Sequence, residues 1–396
     1  MEWGTLDYYI DRISSPTPPL RIDICDPNLT DEDAIRFANA LTTTQNGGDG
    51  EINEGGGTTL KKLRLRGSQI TSRGFLALAE AIGGMADSIS TLEELDLGYN
   101  MGITDDVDDF AFGLYLLLSA AKNLKHLDLE GSCIGRRAGM ALGDLVAIYG
   151  QVLETLNLHN NALEDDSMIY LASKLVDCKL LKRLDLGFNY VGPSGAMALA
   201  DFMATNPRLQ HLILLRNSIR DSGAMYFAKA MKSNTSLREL NLGYNRISSV
   251  GLEALLCAIF NTSSLNSLVG SNHTICCLFQ QHSVEDLLRR RCDVHLLFDI
   301  DNILQLNELN ALLDNSSCKL PYWAADLPLS TLSIEKLKVV IYLSKCFDMK
   351  HFLALDRTMM PQALAFVASH FGQDNVFHLI SRWNMPELFS QTLQPC

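Results

Sequence analysis

Apolar residues recur along this chain in a fixed pattern, L-x-x-L-x-L-x-x-N, in which leucines alternate with polar positions. An apolar residue at every second position predicts a short β-strand with one buried face. The middle leucines of successive copies, taken as markers, are 32, 32, 29, 28, 28, 28 and 28 residues apart. Such regular spacing is typical of a solenoid built from repeated units. The markers are Leu63, Leu95, Leu127, Leu156, Leu184, Leu212, Leu240 and Leu268, with a degenerate copy predicted ahead of them at Ile22-Asp23-Ile24.

A second apolar pattern follows each strand and predicts a helix. Glycine stands eleven residues after the marker at Gly195, Gly223 and Gly251, and apolar residues then recur at helical spacing. Strands joined by helical crossovers must run parallel. Parallel strands stack about 4.8 Å apart, whereas packed helices need about 8–10 Å, so the stack curves with its strands inside. The asparagine that ends each strand pattern is expected to satisfy backbone groups freed from the sheet.

Together these two patterns resemble those of the ribonuclease-inhibitor-like leucine-rich-repeat family, over residues 20–282. The resemblance implies an α/β solenoid, a curved horseshoe with a parallel inner sheet and outer helices. It also implies a protein-binding function, because members of that family are typically protein-binding modules. Two departures are a Gly-rich insertion at 45–59, predicted as a mobile loop, and an extra residue at Met101-Gly102. The helix that follows, at 110–120, is predicted to be heavily buried.

The repeat pattern ends after Ile275, and the rest of the chain has helical spacing with helix signals such as Pro361 and Gly372. A solenoid must cover the apolar end of its last repeat, so a helical cap is expected there. The predicted organisation is an N-terminal segment at 1–19, a repeat domain of about nine units at 20–282 and a helical C-terminal cap region at 283–396. Whether that region also binds a partner stays open.

The charge of the chain narrows the class of partner. The chain contains 46 Asp and Glu against 33 Lys and Arg, a formal net charge of −13. Nucleic acids and anionic membranes require a basic surface, so we expect neither as a partner. The longest apolar run, at 110–121, is also shorter than the roughly 20 residues of a membrane helix. We therefore expect a protein partner, and take a monomer as the working state while the oligomeric state stays open.

The ten cysteines indicate a reducing compartment. None forms a C-x-x-C pair, and most lie in apolar contexts such as Leu255-Leu256-Cys257, so we expect reduced core residues. The first residues, Met-Glu-Trp-Gly, have neither the basic nor the apolar part of a secretory signal. A cytoplasmic location, with the nucleus as the alternative, is therefore expected.

Common catalytic and phosphate-binding motifs are missing from the sequence. It lacks G-x-x-x-x-G-K-[ST], G-x-G-x-x-G, G-x-S-x-G and H-E-x-x-H. No cysteine–histidine cluster has zinc spacing. His126 and His211 occupy equivalent strand positions several repeats apart, too far to share a metal ion. We therefore expect no cofactor, no metal and no enzymatic activity.

The exposed strand positions provide the candidate site. Exposed aromatic residues and arginine are typical of protein-binding hot spots. Two other interpretations stay open: alternating charges on neighbouring strands form a ladder that stabilises the sheet laterally, and the aromatic residues pack over their own turns. The residues predicted to bind a partner are His126, Arg183 and His211 before the markers, Asp128 and Asp185 after them, and Tyr99, Phe188, Arg216 and Tyr244 just before the asparagines.

Two alternatives differ in class from a non-enzymatic scaffold or regulator. The first is a GTPase-activating protein resembling the Ran-specific class, which is built on the same repeats and positions the GTPase's own machinery. That class ends in a strongly acidic tail, whereas this chain continues into an apolar helical segment with Lys and Arg throughout. The second is a sensor of the nucleotide-switching receptor kind, which needs a phosphate-binding loop that the sequence lacks.

Overall fold

The computed structural model describes residues 5–13, 21–24, 26–46, 60–84 and 91–259, with Thr274, Ile275 and Leu278 beyond them, and for residues 43–46 the backbone alone. The strands are β1 (Arg21–Ile24), β2 (Lys62–Leu65), β3 (Glu94–Asp96), β4 (His126–Asp128), β5 (Thr155–Asn157), β6 (Arg183–Asp185), β7 (His211–Ile213) and β8 (Glu239–Asn241). The helices are α1 (Leu6–Ile13), α2 (Asp31–Asn46), α3 (Ser72–Gly84), α4 (Val107–Ala120), α5 (Arg136–Tyr149), α6 (Asp165–Leu175), α7 (Pro193–Thr205), α8 (Arg220–Met231) and α9 (Ser249–Ile259).

All eight described strands form one open parallel sheet, in which neighbours in sequence are also neighbours in space. The markers face each other across every strand pair, from Ile22 opposite Leu63 to Leu212 opposite Leu240. The predicted α/β solenoid, with its parallel inner sheet and outer helices, is thus confirmed. The degenerate copy at Ile22 is its first strand.

The core lies between the sheet and the helices. The marker Leu184 and the helix residue Met203 are both 0% exposed. Glycine at the helix entry permits this close packing: a Cβ on Gly251 would lie 2.6 Å from Ile247 Cγ2 and 2.7 Å from Asp221 Oδ1. A residue larger than glycine would therefore clash with the neighbouring unit at this position.

A buried asparagine after each of several strands joins neighbouring units. Asn189 Nδ2 donates to the carbonyl oxygens of Leu158, Leu186 and Gly187 at 2.9, 3.1 and 3.1 Å. Its Oδ1 accepts from the N–H of Leu163 at 3.0 Å. The predicted use of the amide is therefore confirmed, and we call this row the asparagine ladder. Equivalent bonds are made by Asn161, Asn217 and Asn245.

The unit that begins at β3 contains the predicted extra residue. A 3-10 helix occupies Met101–Thr104, and the side chain of Asp106 then caps the N-terminus of α4. The prediction that this helix is heavily buried is wrong for one face, because Phe112 and Tyr115 are 50% and 40% exposed. The helix lies on the outside of the curve, so only its inner face contacts the core.

The two ends of the described solenoid add contacts that the repeat pattern does not predict. Helix α1 lies within the predicted N-terminal segment and buries Tyr9 and Ile13 in the common core. At the other end, the N–H of Leu242 donates to the carbonyl oxygen of Leu278 at 2.9 Å. If the 28-residue period continued, the N–H of Leu242 would bond to Val269 instead. The spacing between repeats therefore changes beyond β8.

Several predictions concern residues outside the described part of the chain: the repeat copy at 265–273, the Gly-rich insertion beyond Asn46 and the cap region at 283–396. Helix α2 continues through the first two residues of the predicted insertion. Of the helices in the described ranges, none is long and apolar enough to cross a membrane.

Candidate functional site

The predicted site residues lie in three parallel rows that cross the sheet on the side opposite the helices, which we call the concave face. The first row stands immediately before the markers, the second row immediately after them, and the rim row just before the asparagine ladder. The sheet register aligns equivalent residues of successive repeats along each row. The rows contain His126, Arg183 and His211 (first), Asp128 and Asp185 (second), and Tyr99, Phe188, Arg216 and Tyr244 (rim).

Paired charges connect several strands across the concave face. Glu94 on β3 accepts a hydrogen bond from Lys62 Nζ at 2.6 Å and pairs with Arg64 on the same neighbouring strand. Further along, Lys182 Nζ lies 2.7 Å from Glu154 Oε2. The alternating charges of the sequence therefore form a lateral ladder of ion pairs, and these side chains are engaged within the protein.

Arg66 is the centre of an ionic network in the N-terminal half. Its guanidinium lies 2.5 Å from Glu130 and 3.5 Å from each of Asp96 and Asp128, and it stacks on the ring of Tyr99 at 4.7 Å. Tyr99 Oη in turn donates to Glu130 Oε1 at 2.8 Å. Although Tyr99 is 37% exposed, an internal network holds it in place.

Burial and hydrogen bonding shift the pKa values of the carboxyl groups in this network in opposite directions. Burial raises the pKa of Asp96 and of Asp128, because a carboxylate loses hydration there. Burial also acts to raise the pKa of Glu130, but hydrogen bonds from Arg66 and Tyr99 outweigh it, and that pKa is lowered. Glu130 is therefore the carboxylate that this network holds most firmly in its charged form.

A stack of three rings and one guanidinium combines His159 with three residues from the C-terminal half of the rim row. The rings of His159 and Phe188 lie 4.8 Å apart. The guanidinium of Arg216 lies 5.1 Å from the Phe188 ring and 4.7 Å from that of Tyr244. Among the described residues, no carboxylate oxygen lies within 4.0 Å of Arg216. We call these four residues the rim stack.

The rim row has an unusual backbone conformation. In three other repeats the equivalent position is filled by Gly67, Gly131 and Asn160, residue types that enter the left-handed region readily. For bulky residues the left-handed conformation costs roughly 1–2 kcal/mol. The turn itself therefore does not require large side chains. Four bulky residues nevertheless have φ between 53° and 58°: Tyr99, Phe188, Arg216 and Tyr244.

Aspartates of the second row stabilise the turns at the ends of their strands. Asp128 Oδ1 accepts from the N–H of Glu130 at 2.9 Å, and Asp185 Oδ1 from the N–H of Gly187 at 3.1 Å. Hydrogen bonds of this kind hold the turn that follows each strand. These two predicted residues thus have a structural task of their own.

Two further residues of the second row correct the expectation that this row is exposed. Ile213 is 4% exposed and Asn241 is 0% exposed. Side chains on the inside of a curve converge, so neighbouring strands cover the short ones. Alternation along a strand predicts which face a residue is on, but not this crowding.

The predicted residues of the first row differ in their exposure and in their contacts. His126 is exposed, and 43% of the Arg183 side chain is accessible. His211 Nδ1 lies 2.9 Å from Glu239 Oε2, and Arg183 lies 3.8 Å from the same carboxylate. Arg183 also lies 3.5 Å from Asp185, yet it and His126 are more accessible than His211.

Two residues that sequence reasoning misses, Arg66 and His159, hold the exposed aromatic residues. Each lies over a glycine of the next repeat: a Cβ on Gly98 would be 2.6 Å from Arg66 Nη1, and one on Gly187 would be 2.7 Å from His159 Nδ1. The glycine leaves room for the side chain that reaches across it. A long residue aligned with glycine one repeat later is thus the signal that identifies them.

The described residues contain no group of three or more His, Cys, Asp and Glu that could hold a metal ion. Cys178 is buried, and burial raises the pKa of its thiol to about 12, so it is no nucleophile at neutral pH. The expectation that the cysteines lie in the core is confirmed for Cys178. It is wrong for Cys133 and Cys257, which are exposed free thiols.

Comparisons with known proteins agree with this architecture. Residues 58–79, 177–200 and 233–256 match the Leucine Rich repeat family, and each segment contains one strand and the start of the next helix. Ribonuclease inhibitor of Sus scrofa is 30% identical over 141 residues, which are 36% of this chain. The match spans 29% of that relative's length.

Proposed function

We propose that this chain, a leucine-rich-repeat protein of the ribonuclease-inhibitor-like kind, is a non-enzymatic scaffold or regulator that binds a protein partner on its concave face. The centre of the binding surface is formed by Phe188, Arg216 and Tyr244, with Arg183 and His126 beside it. Tyr99, His211, Asp128 and Asp185 are engaged by internal contacts and support that surface. The free thiols of Cys133 and Cys257 favour a reducing compartment, the cytoplasm or the nucleus.

One observation carries the proposal: bulky residues occupy a turn position that glycine would fill at lower energy. Phe188 is 38% exposed and has a φ of 54°, and Arg216 has a φ of 53°. Backbone strain of this kind concentrates where a surface binds a ligand. Aromatic residues and arginine are also the types that dominate protein-binding hot spots.

Affinity capture from a native lysate tests the proposal, with the full chain as bait beside two variants. The rim variant changes Phe188, Arg216 and Tyr244 to glycine, which suits their backbone conformation and removes the side chains without new strain. The convex variant changes Phe112 and Tyr226, 50% and 41% exposed on outer helices, to alanine. Far-UV circular dichroism verifies that both variants fold.

We expect a partner that wild type and the convex variant capture and the rim variant loses. With that partner isolated, the rim variant should bind at least about thirtyfold more weakly. Equal capture by all three baits would mean that the rim row only packs its turns, which contradicts the proposal. Loss from the convex variant alone would move the binding surface to the outer helices, and a captured small GTPase would favour the GTPase-activating alternative.

A further inference from the structure

The last described repeats are basic, although the chain as a whole is acidic. Residues 206–250 contain seven Lys and Arg against two Asp and Glu, in a chain with a formal net charge of −13. Both acidic residues are engaged. Asp221 accepts from the N–H and the hydroxyl of Ser248 at 2.7 Å, and Glu239 lies 2.9 Å from His211. This part of the solenoid therefore presents an excess of positive charge.

Arg216 is held in place without being neutralised. The rings of Phe188 and Tyr244 contact its guanidinium at 5.1 and 4.7 Å. To the residues that the structure describes, this guanidinium makes no hydrogen bond or ion pair. Stacking fixes the plane of the guanidinium and leaves its N–H groups at the edge, where they match the two oxygens of a carboxylate.

Two more arginines follow the rim row in the repeats of Arg216 and Tyr244. The N–H of Arg220 donates to the carbonyl oxygen of Asn245 at 3.0 Å, which places Arg220 beside the segment that continues to Arg246. Both side chains are exposed, and neither forms an ion pair with a described residue. Like Arg216, both have a left-handed backbone, with φ of 59° and 57°. We call these three residues the arginine rim.

We propose that the arginine rim binds a short run of aspartate or glutamate residues in the protein partner, with one carboxylate held by the stacked guanidinium of Arg216. The inference rests on the proposed function and adds the chemistry of the partner segment. A few guanidinium groups suit a short acidic segment. A nucleic acid needs a longer basic footprint, and the negative charge of the remaining chain repels a long polyanion.

Fluorescence anisotropy of the full chain with three labelled probes of equal length tests this inference: oligoglutamate, oligolysine and oligothymidylate. Arg216→Gln removes the stacked charge, and Arg216→Lys keeps the charge but loses the planar fork. Arg208→Gln is the matched control, because Arg208 is an exposed arginine of the same repeat that lies before β7 rather than after it.

We expect oligoglutamate to bind more tightly than oligothymidylate, with an affinity that falls between about 0.05 and 0.2 M salt. Arg216→Gln should weaken oligoglutamate binding at least about fivefold, and Arg216→Lys should weaken it by a smaller factor. Arg208→Gln should change it less than about twofold. Oligolysine can bind the acidic remainder of the chain, so Arg216→Gln should not weaken its binding.

Absence of oligoglutamate binding, or equal weakening by Arg216→Gln and Arg208→Gln, would overturn the inference. Tighter binding of oligothymidylate that depends on Arg216 would assign the rim to phosphate and overturn it as well. If these results accompany a lysate partner that the rim variant loses, the proposed function stands and only the acidic segment is refuted. Conversely, Arg216-dependent oligoglutamate binding without any lost partner supports the carboxylate site and refutes the proposed function.

Discussion

Two arginines at opposite ends of the concave face stack on tyrosine in the same way, yet their surroundings differ. The guanidinium groups of Arg66 and Arg216 each lie 4.7 Å from a ring, those of Tyr99 and Tyr244. Arg66 also contacts three carboxylates, with Glu130 at 2.5 Å, whereas Arg216 contacts none within the described ranges. One stack belongs to a closed ionic network, and the other leaves its cation available.

Two positions account for the difference: the second row and the position immediately before the rim row. Around Arg66 they carry Asp96, Asp128 and Glu130. In the repeats of Arg216 and Tyr244 they carry Ile213, Leu215, Asn241 and Gly243, which have no charge. The backbone repeats from unit to unit, so the side chains at these two positions decide whether a stacked arginine has carboxylate partners within the protein.

The asparagine ladder stabilises both ends of the concave face, and its loss should have the largest effect on the free energy of unfolding. Asn189→Ala leaves three carbonyl oxygens and the N–H of Leu163 without the amide that bonds them. At about 1 kcal/mol per hydrogen bond, the free energy of unfolding should fall by about 4 kcal/mol. Urea unfolding followed by far-UV circular dichroism measures this loss.

Asn100→Ala gives the matched comparison in the N-terminal half. Asn100 Nδ2 donates to the carbonyl oxygens of Leu65, Leu97 and Gly98 at 2.7, 2.9 and 3.4 Å, but its Oδ1 accepts no hydrogen bond from a described residue. The loss of stability should therefore be smaller by about 1 kcal/mol. An equal or larger loss for Asn100→Ala would mean that the Oδ1 bonds of the ladder add nothing.

Replacing each arginine by methionine should destabilise the protein to different extents at the two ends. The larger of these losses is smaller than that of the asparagine ladder. Methionine keeps an apolar stem and removes the charge. Arg66→Met leaves Glu130 and its neighbours without their cation, so the free energy of unfolding should fall by about 2 kcal/mol. Arg216→Met loses ring contacts alone and should cost under about 1 kcal/mol. The same urea unfolding experiment measures both, and similar costs would refute the distinction between a closed and an open stack.

Periodicity is enough to predict the scaffold of this protein. The markers from Leu63 to Leu240 align in the sheet as their spacing requires, and even the degenerate copy at Ile22 keeps the register. The asparagine ladder is predictable from the chemistry of one side-chain amide, because the same backbone groups leave the sheet in each unit and need hydrogen-bond partners. Features that repeat are predictable, since the physical reason for one copy applies to the others.

The candidate binding surface depends on features that differ between repeats, and predicting these requires the sheet register as well as the repeat pattern. Sequence reasoning misses Arg66 and His159 because each acts across a glycine of the next repeat. It places Ile213 on an exposed face because alternation does not reveal crowding inside a curve. Beyond β8 a constant period does not predict the contact between the N–H of Leu242 and the carbonyl oxygen of Leu278.

The smallest expected effect is the dependence of stability on pH, which should have opposite signs at the two ends of the concave face. A hydrogen bond to Asp185, 3.2 Å away, raises the pKa of His159 above its ordinary value of 6.5. The stability from this pair is fully present below pH 6.5 and is lost as the pH rises through the raised pKa. The lowered pKa of Glu130 has the opposite sign, because its contribution exists above pH 4.5 and disappears as the pH falls.

His159→Gln isolates the C-terminal part of this response. The stability difference between wild type and His159→Gln should be larger at about pH 5.5 than at about pH 8, by less than about 1 kcal/mol. In an NMR titration, His159 should have a pKa above 6.5 that decreases in Asp185→Asn. Protonation also places a cation against the ring of Phe188, so acidification should tighten the rim stack. A stability difference that is the same at both pH values would leave His159 as a packing residue whose charge contributes nothing to the stack.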